Sequence, residues 1–531
     1  MIELSTRRQP FVELSFPEGE TIDRIGSVLR AMPGICAESE SNYACTLYDS
    51  FDGRIYNERL MLLWADFESG AELQLLSRDD TTLLWRQPFA ESPDTFNFEI
   101  NEPDVSAWLE RTMGLRALLR AVNLAVHRQT FRWTDDEGKT HARLQMEEVF
   151  IESNDNPARV GARLVIEPLR GYENSALRLK DRIARDSGVE IDTQGLCARL
   201  MARHSAEFAR RSARFNVSLS PEMRADAALI KVLTFLMDVM EINEQGLIEG
   251  HDTEFLHDFR IAIRRTRVLF SQCRDLFPPR EFKRFRKEFA WLGQVTGLSR
   301  DLDVYLLIIP EFQALLPKNL REYLTPVRDL LRKQRGTEQK KLTTALRSKR
   351  YRRFKVKWRE FLEQPLPAYS PEAGSAALVM TMAQESIHSL FKQVLREGSA
   401  IDNDAPAEDL HELRKSCKKL RYLIECFQSL FPADQIGTII RALKRLQVNL
   451  GEFQDLDVQI IGLEGIADQL DMSQKEIAYT LLAMGAVLGR LQDRKLVVRK
   501  ESKSRFAAFS AKRNRHRFKR LFRTGKHRHR T

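Results

Sequence analysis

The stretch His257-Asp-Phe-Arg260-Ile-Ala-Ile-Arg264-Arg265-Thr-Arg267 recurs downstream as His411-Glu-Leu-Arg414-Lys415-Ser-Cys-Lys418-Lys419-Leu-Arg421. On an α-helix, which turns about 100° per residue, offsets of 0, 3, 7 and 10 fall within a stripe roughly 80° wide and about 15 Å long. His257, Arg260, Arg264 and Arg267 therefore share one face, as do His411, Arg414, Lys418 and Arg421. The opposite faces are apolar: Leu256, Phe259, Ile263 and Phe270 in the first copy, and Leu410, Leu413, Cys417, Leu420 and Ile424 in the second. Each helix is expected to pack its apolar face into a core and hold a row of cations outward. Two such rows fit an extended anion.

The two histidines stand 154 residues apart (257 to 411), and a second pair of segments keeps that spacing. Leu292 to Val304, with Gly297, Asp301, Leu302 and Asp303, aligns with Leu446 to Val458, with Gly451, Asp455, Leu456 and Asp457. A third match, one residue out of register, pairs Arg350-Tyr351 and Phe354 with Arg505-Phe506 and Phe509. A repeat this long excludes a solenoid and predicts two packed helical bundles. The four aspartates are the acids placed to satisfy the stripes internally, the alternative to an external anion. Neither histidine has a His, Cys or carboxylate four residues on, so neither is expected to hold a metal.

With 43% hydrophobic and 30% charged residues, the 531-residue chain is neither disordered nor a membrane bundle. Its longest uncharged apolar stretch, Ile477 to Gly489, is too short to span a bilayer, and no signal segment opens the chain. Six scattered cysteines without a Cys-x-x-Cys pair predict buried, reduced thiols and a cytoplasmic location. The net charge of +10 is unevenly spread: from Arg490 onward 17 Lys or Arg face only Asp493 and Glu501, a net of +15, which leaves −5 for the rest. The segment from Lys512 is expected to be a disordered polyanion-binding tail, its only aromatics being Phe518 and Phe522.

Residues 1 to about 170 alternate polar and apolar in short runs, among them Phe11–Phe16, Leu60–Trp64, Leu73–Leu76, His127–Trp133, Ala142–Glu147 and Arg163–Glu167. With helices expected over Ile22–Met32 and Asp104–Leu124, they predict a mostly antiparallel sheet domain. Ser220-Pro221-Glu222 reads as a helix start. The fold class is therefore α+β: a sheet domain over 1–205 whose last part is helical, a linker over 206–220, an all-α domain over 221–511 with repeats at 221–365 and 375–511, and the tail at 512–531.

The two basic segments, Arg300-Asp301-Leu302-Asp303-Val304, and the Tyr422 that follows Arg421 resemble the CHAD domain, the conserved histidine α-helical domain. The resemblance covers residues 221 to 510. It implies two bundles related by a pseudo-twofold that bind inorganic polyphosphate through basic surface helices. CHAD domains often follow a CYTH domain, a β-tunnel that binds triphosphates and metal in triphosphatases, and Leu47-Tyr48-Asp49-Ser50-Phe51-Asp52-Gly53-Arg54-Ile55 is similar to its strand and turn. By the same resemblance Arg128 and Arg132 fall among tunnel cations, and Glu147 and Glu167 on strands that supply carboxylates. The family's Glu-x-Glu-x-Lys, however, stands here as Phe11-Val12-Glu13-Leu14-Ser15, and its arginine-rich strand as Leu60-Met61-Leu62-Leu63-Trp64. Metal-assisted triphosphate hydrolysis needs carboxylate oxygens for Mg²⁺ or Mn²⁺ and cations for the phosphates. A degenerate tunnel without hydrolase activity is expected, with Glu13, Glu147 and Glu167 in structural roles.

The resulting expectation is a non-enzymatic, cytoplasmic polyphosphate-binding protein associated with polyphosphate granules. Its site is expected at His257, Arg260, Arg264, Arg267, His411, Arg414, Lys418 and Arg421, widened by Arg265, Lys415 and Lys419. No cofactor is expected. Two alternatives stand beside this reading: a CYTH-type triphosphatase using Mg²⁺ or Mn²⁺, and a nucleic-acid or ribosome binder working through the tail.

Overall fold

The computed structural model describes residues 12–17, 19–79, 82–89, 99–152, 157–188, 196, 199–200, 208, 211, 215–364, 378–402, 405–470 and 477–523. Phe11, Cys197, the segment between the two expected repeats and the last eight residues, with Lys526, Arg528 and Arg530, lie outside them, as does most of 201–214. The chain divides into two compact units, Met1–Ser212 and Ala213–Thr531.

The first unit is a curled antiparallel half-barrel. Its strands are β1 (Val12–Phe16), β2 (Ile35–Asp49), β3 (Leu60–Phe67), β4 (Gly70–Ser77), β5 (Leu83–Pro88), β6 (Leu119–Thr134), β7 (Thr140–Ile151) and β8 (Ala158–Pro168). They lie in the order β1-β8-β7-β6-β2-β3-β4-β5. Helices α1 (Ile22–Ala31), α2 (Arg54–Asn57), α3 (Pro103–Met113) and α4 (Glu173–Asp186) complete the unit. The two-residue period of a strand sorts the side chains. Leu14, Phe16, Leu144, Met146, Leu164 and Ile166 pack with Ile25 and Leu29 of α1 and with Leu179 and Ile183 of α4. Their sequence neighbours Gln145, Glu147, Arg163, Val165 and Glu167 line a cavity of about 860 Å³ on the other face.

Two local expectations are corrected here. The helix expected over Asp104–Leu124 ends at Met113, because Gly114 adopts φ 55° and its N–H caps the Glu110 carbonyl; the chain then turns into β6. Cys36 is exposed, whereas Cys45, Cys273, Cys417 and Cys426 are buried as expected.

The second unit contains α5 (Ala225–Glu249), α6 (Thr253–Gln272), α7 (Pro279–Val295), α8 (Gly297–Leu315), α9 (Thr325–Leu346), α10 (Lys349–Glu363), α11 (Val379–Ala400), α12 (Ala407–Cys426), α13 (Ala433–Ala467), α14 (Ile477–Phe509) and α15 (Lys512–Phe522). The starts of α5, α6 and α7 recur at α11, α12 and α13 with the spacing of the two histidines. The segments entering α5 and α11 are tied together by an antiparallel bridge between Arg224 and Leu378. That bridge holds residue 224 extended, so α5 starts at Ala225 rather than at the expected Ser220-Pro221. The first copy breaks between α7 and α8, where α13 runs through. At that break Arg260 Nη1 donates to the Gly293 carbonyl and to Thr296 Oγ1, at 3.2 and 2.7 Å, taking an acceptor the helix would otherwise use.

The expected disordered tail is corrected as well. Lys512–Phe522 is helical, and its two aromatics, four residues apart, are buried: Phe518 stacks on Phe391 at 3.7 Å and Phe522 meets Phe431 edge-on at 5.0 Å. A two-residue apolar face suffices because α11 and the segment before α13 supply the other half of the contact.

Candidate functional site

Helix α6 begins at Asp252, whose carboxylate accepts from the Glu254 and Phe255 N–H groups. Its apolar face and that of α12 are fully buried, every residue named above being at most 3% exposed. This burial fixes the rotation of both helices and so the direction of both stripes. The two helices are clasped by Arg265, which donates to Glu425 at 2.9 Å with both side chains largely buried (12% and 15% exposed). The Arg265 guanidinium also lies near the rings of Phe215 and Tyr422. Arg265 is therefore a structural clasp, and the expectation that it widens the anion surface is corrected. Lys415 is exposed and pairs with Glu412 at 2.6 Å, and Lys419 is half-buried.

The clasp brings the stripes together. Arg264, exposed on α6, lies close enough to Arg414 and Lys418 of α12 to disfavour the charged form of both. Lys418 makes no ion pair among the described residues; burial, followed by Arg414 and Arg264, pushes its ammonium down to about 8. Burial and then Arg264 push Arg260 down to about 10. The Nε atoms of Arg260, Arg414 and Arg421 are buried without a hydrogen-bond partner. Partly desolvated cations crowded together, with donors unspent, form a site that an added anion would stabilise.

The acids compensate the two stripes unequally. Arg414 reaches Asp455 at 3.3 Å and His411 reaches Asp457 at 3.3 Å, an aspartate also paired with Lys495. Arg421 lies 3.7 Å from Glu425. On the first stripe Asp303 turns away to Arg335 at 3.0 Å. Arg264 and Arg267 are exposed and form no ion pair among the described residues. The internal network thus closes into ion pairs on α12, whereas on the α6 row Asp301 acts on Arg260 and Arg264 without pairing with either.

Lys418 carries a pH prediction. Its ammonium is held at about 8 in the folded chain against 10.5 for an ordinary lysine, so between those values the unfolded chain holds the extra proton and stability rises with pH. A bound polyanion favours the ammonium and reverses the shift. Binding above pH 8 should therefore take up close to one proton, read as a buffer-dependent calorimetric enthalpy, and affinity should fall as pH rises from 8 to 10. Lys418→Met should abolish the buffer dependence.

In the first unit Glu147, which the CYTH resemblance places on a carboxylate-supplying strand, is engaged by protein partners. Glu147, 2% exposed, accepts from Arg128 Nε at 2.9 Å, Arg163 Nε at 2.8 Å and the Tyr43 hydroxyl at 2.8 Å. Although burial disfavours its ionised form, Arg163 and Arg128 outweigh it and hold the carboxyl at about 2. Glu13 lies 3.4 Å from Arg163. Ser15, standing where the resemblance asks for Lys, donates to Glu13 and accepts from the Leu196 N–H, both at 3.0 Å. Leu196 and Leu200 in turn pack into the apolar end of the cavity against Met61, Leu76, Leu124 and Val126. Glu167 remains in the cavity, its carboxyl raised by burial. Among the described residues no group of three or more His, Cys, Asp or Glu side chains is placed to hold a metal ion. Arg132, expected among the tunnel cations, instead lies 3.5 Å from Glu38 and does not line the cavity; Arg86, Arg143 and Arg163 do.

Residues 231–463 match the family model of the CHAD domain. A CHAD domain thus lies within the helical unit, over residues 231–463. Two uncharacterized proteins of Mycobacterium tuberculosis strains are 27% identical to this chain over 205 residues, 38% of this chain and 38% of theirs; the chain thus spans under two fifths of the length of these relatives. The CHAD domain of the plant Ricinus communis is similar at 23% identity, covering 57% of this chain and 96% of that one with a TM-score of 0.48. A Hippeastrum adenylyl cyclase with a dominant triphosphatase activity is similar at 12% identity over 35% of this chain and 90% of its own, with a TM-score of 0.23. No described helix is long and apolar enough to cross a membrane.

Within the CHAD domain, sequence reasoning placed the two stripes on matching helices but missed Glu425, the acid that joins them. Arg265 and Glu425 are 160 positions apart, and no local pattern marks the pair. The inward cations Arg143 and Arg163 were legible in principle, since each alternates with buried apolar residues on its strand.

Proposed function

We propose that the CHAD domain binds inorganic polyphosphate along the pooled stripes of α6 and α12, and that the protein is cytoplasmic and associates with polyphosphate granules. The observation that carries this reading is the proximity of Arg264 to Arg414 and Lys418, which makes one desolvated cationic track of two helices. Arg264, Arg267, Arg414 and Arg421 offer forked donors to phosphate oxygens, and Lys418 a point charge. Arg260 contributes through its remaining donors, and His257 and His411 end the track as donors when protonated. Lys415 and Lys419 lie at its margin.

The test is chain length. Pyrophosphate and triphosphate contact one part of the track, whereas a longer chain engages both stripes and makes the second contact intramolecular. Titration calorimetry should give affinity about 100-fold or more higher for long polyphosphate than for triphosphate. Equal affinities would overturn the two-stripe reading.

The first unit we read as a degenerate CYTH fold without hydrolase activity, supported by the engagement of Glu147 with two arginines and by Ser15 in place of Lys. Incubated with triphosphate or ATP and either Mg²⁺ or Mn²⁺, the protein should show turnover below about 1 s⁻¹, the low end for ordinary enzymes. Faster phosphate release that disappears in Glu167→Ala would restore the triphosphatase reading.

A further inference from the structure

A second cationic surface lies on the outer side of α7 and α10, apart from the pooled stripes. The two helices run antiparallel along a ladder of rings. Trp291 is covered by the Arg350 guanidinium at 4.1 Å, Phe289 meets Phe354 at 5.2 Å, Phe285 meets Trp358 at 4.7 Å, and Phe285 meets Phe361 at 5.2 Å. Arg350 also pairs with Glu288 at 2.9 Å, fixing the register. With the rings turned inward, the helical period turns Lys283, Arg284 and Lys287 of α7 outward, together with Arg352, Arg353 and Lys357 of α10. All six are exposed, and none forms an ion pair among the described residues.

We propose that this face binds the phosphate backbone of double-stranded nucleic acid without reading its sequence. Hydrated cations on an open face gain little from a small anion, because water and salt screen them over about 8 Å. A polyelectrolyte with condensed counterions differs, since each neutralised phosphate releases ions and returns free energy. The two rows lie on neighbouring helices that meet through the ring ladder. A duplex presents phosphate rows on both sides of each groove, so it offers a partner to each cation row. The rings that would stack unpaired bases are consumed in the ladder: Phe285, Phe289, Phe354 and Trp358 are all buried. This disfavours single strands. The face is independent of the α6–α12 track, and the proposal stands whether or not that track takes polyphosphate.

The test uses the full chain and a fluorescent duplex of about 20 base pairs, followed by anisotropy between about 50 and 200 mM salt. Arg284→Glu/Lys287→Glu/Arg353→Glu should weaken duplex binding at least tenfold and flatten the salt dependence by about one unit of slope per lost contact. The matching glutamine variant should give an intermediate loss, and circular dichroism should be unchanged in both. Polyphosphate affinity should stay within twofold. Arg264→Glu/Lys418→Glu, and Arg513→Glu/Lys519→Glu on α15, should leave duplex binding intact. Absence of duplex binding at low salt, indifference to the triple variant, or loss through the α15 pair would overturn the proposal. Binding of anionic phospholipid vesicles, but not duplex, that depends on the same three residues would assign the face to a membrane instead.

Discussion

Arg264→Glu combined with Lys418→Glu is expected to weaken long-chain polyphosphate binding by about 10³-fold. Each substitution removes a charge-assisted contact worth about 1.5–3 kcal/mol and puts a like charge beside the phosphates. Together they cost at least about 4 kcal/mol, or three decades in the dissociation constant. The pair is chosen because Arg264 is where the α6 row meets Arg414 and Lys418. Either single variant should lose one to two decades, and the double variant should show coupling, since the two side chains share one ligand. The fold should tolerate the change: neither residue is ion-paired among the described residues, and cationic neighbours crowd both. Lys418→Met should raise the melting temperature of the unliganded protein while weakening binding, a combination that an ordinary structural lysine would not produce. Normal affinity in the double variant would remove the track from α6 and α12. Collapse of helical content would show that the cluster serves the fold.

The other large effect concerns the half-barrel. Glu147→Ala should destabilise the first unit by about 3–5 kcal/mol, the usual cost of leaving buried partner charges unpaired. Arg128 and Arg163 are each under one fifth exposed and would face each other across the vacated position. Chemical denaturation of the sheet unit, followed by the change in its own transition, measures this. The pH dependence supplies a second signature. Glu147 is held at about 2 when folded against 4.5 for an ordinary glutamate, so its stabilisation is present above pH 4.5 and is lost as pH falls toward 2. The variant should lack that acid limb. A carboxylate reserved for a metal behaves oppositely: its removal from metal-free protein relieves repulsion and stabilises. A rise in stability on Glu147→Ala would therefore return the cavity to the metal-dependent reading.

These expectations rest on contacts of different range, and the range explains what was legible beforehand. The helix period placed His257, Arg260, Arg264 and Arg267 on one face and Phe259 and Ile263 on the other, and spacing alone revealed the second copy at His411. Strand alternation likewise marked Ala142–Glu147 and Arg163–Glu167 as strands, and the structure buries Leu144 and Leu164 of these runs in the core. Such readings succeed because a backbone period of 3.6 or 2 residues converts directly into direction. The tail failed on the same criterion: Phe518 and Phe522 are too few to announce a helix, and their partners Phe391 and Phe431 lie far upstream.

Sequence by itself thus determined that this chain carries two amphipathic cationic helices after an antiparallel sheet. Only the tertiary structure decided that the two rows pool into one track, through the Arg265–Glu425 clasp, and that Glu147 belongs to Arg128 and Arg163 rather than to a metal. Both are pairings across long stretches of chain, selected by the burial of charge. A desolvated arginine must find a carboxylate wherever packing brings one within reach, and no local period records which one that is.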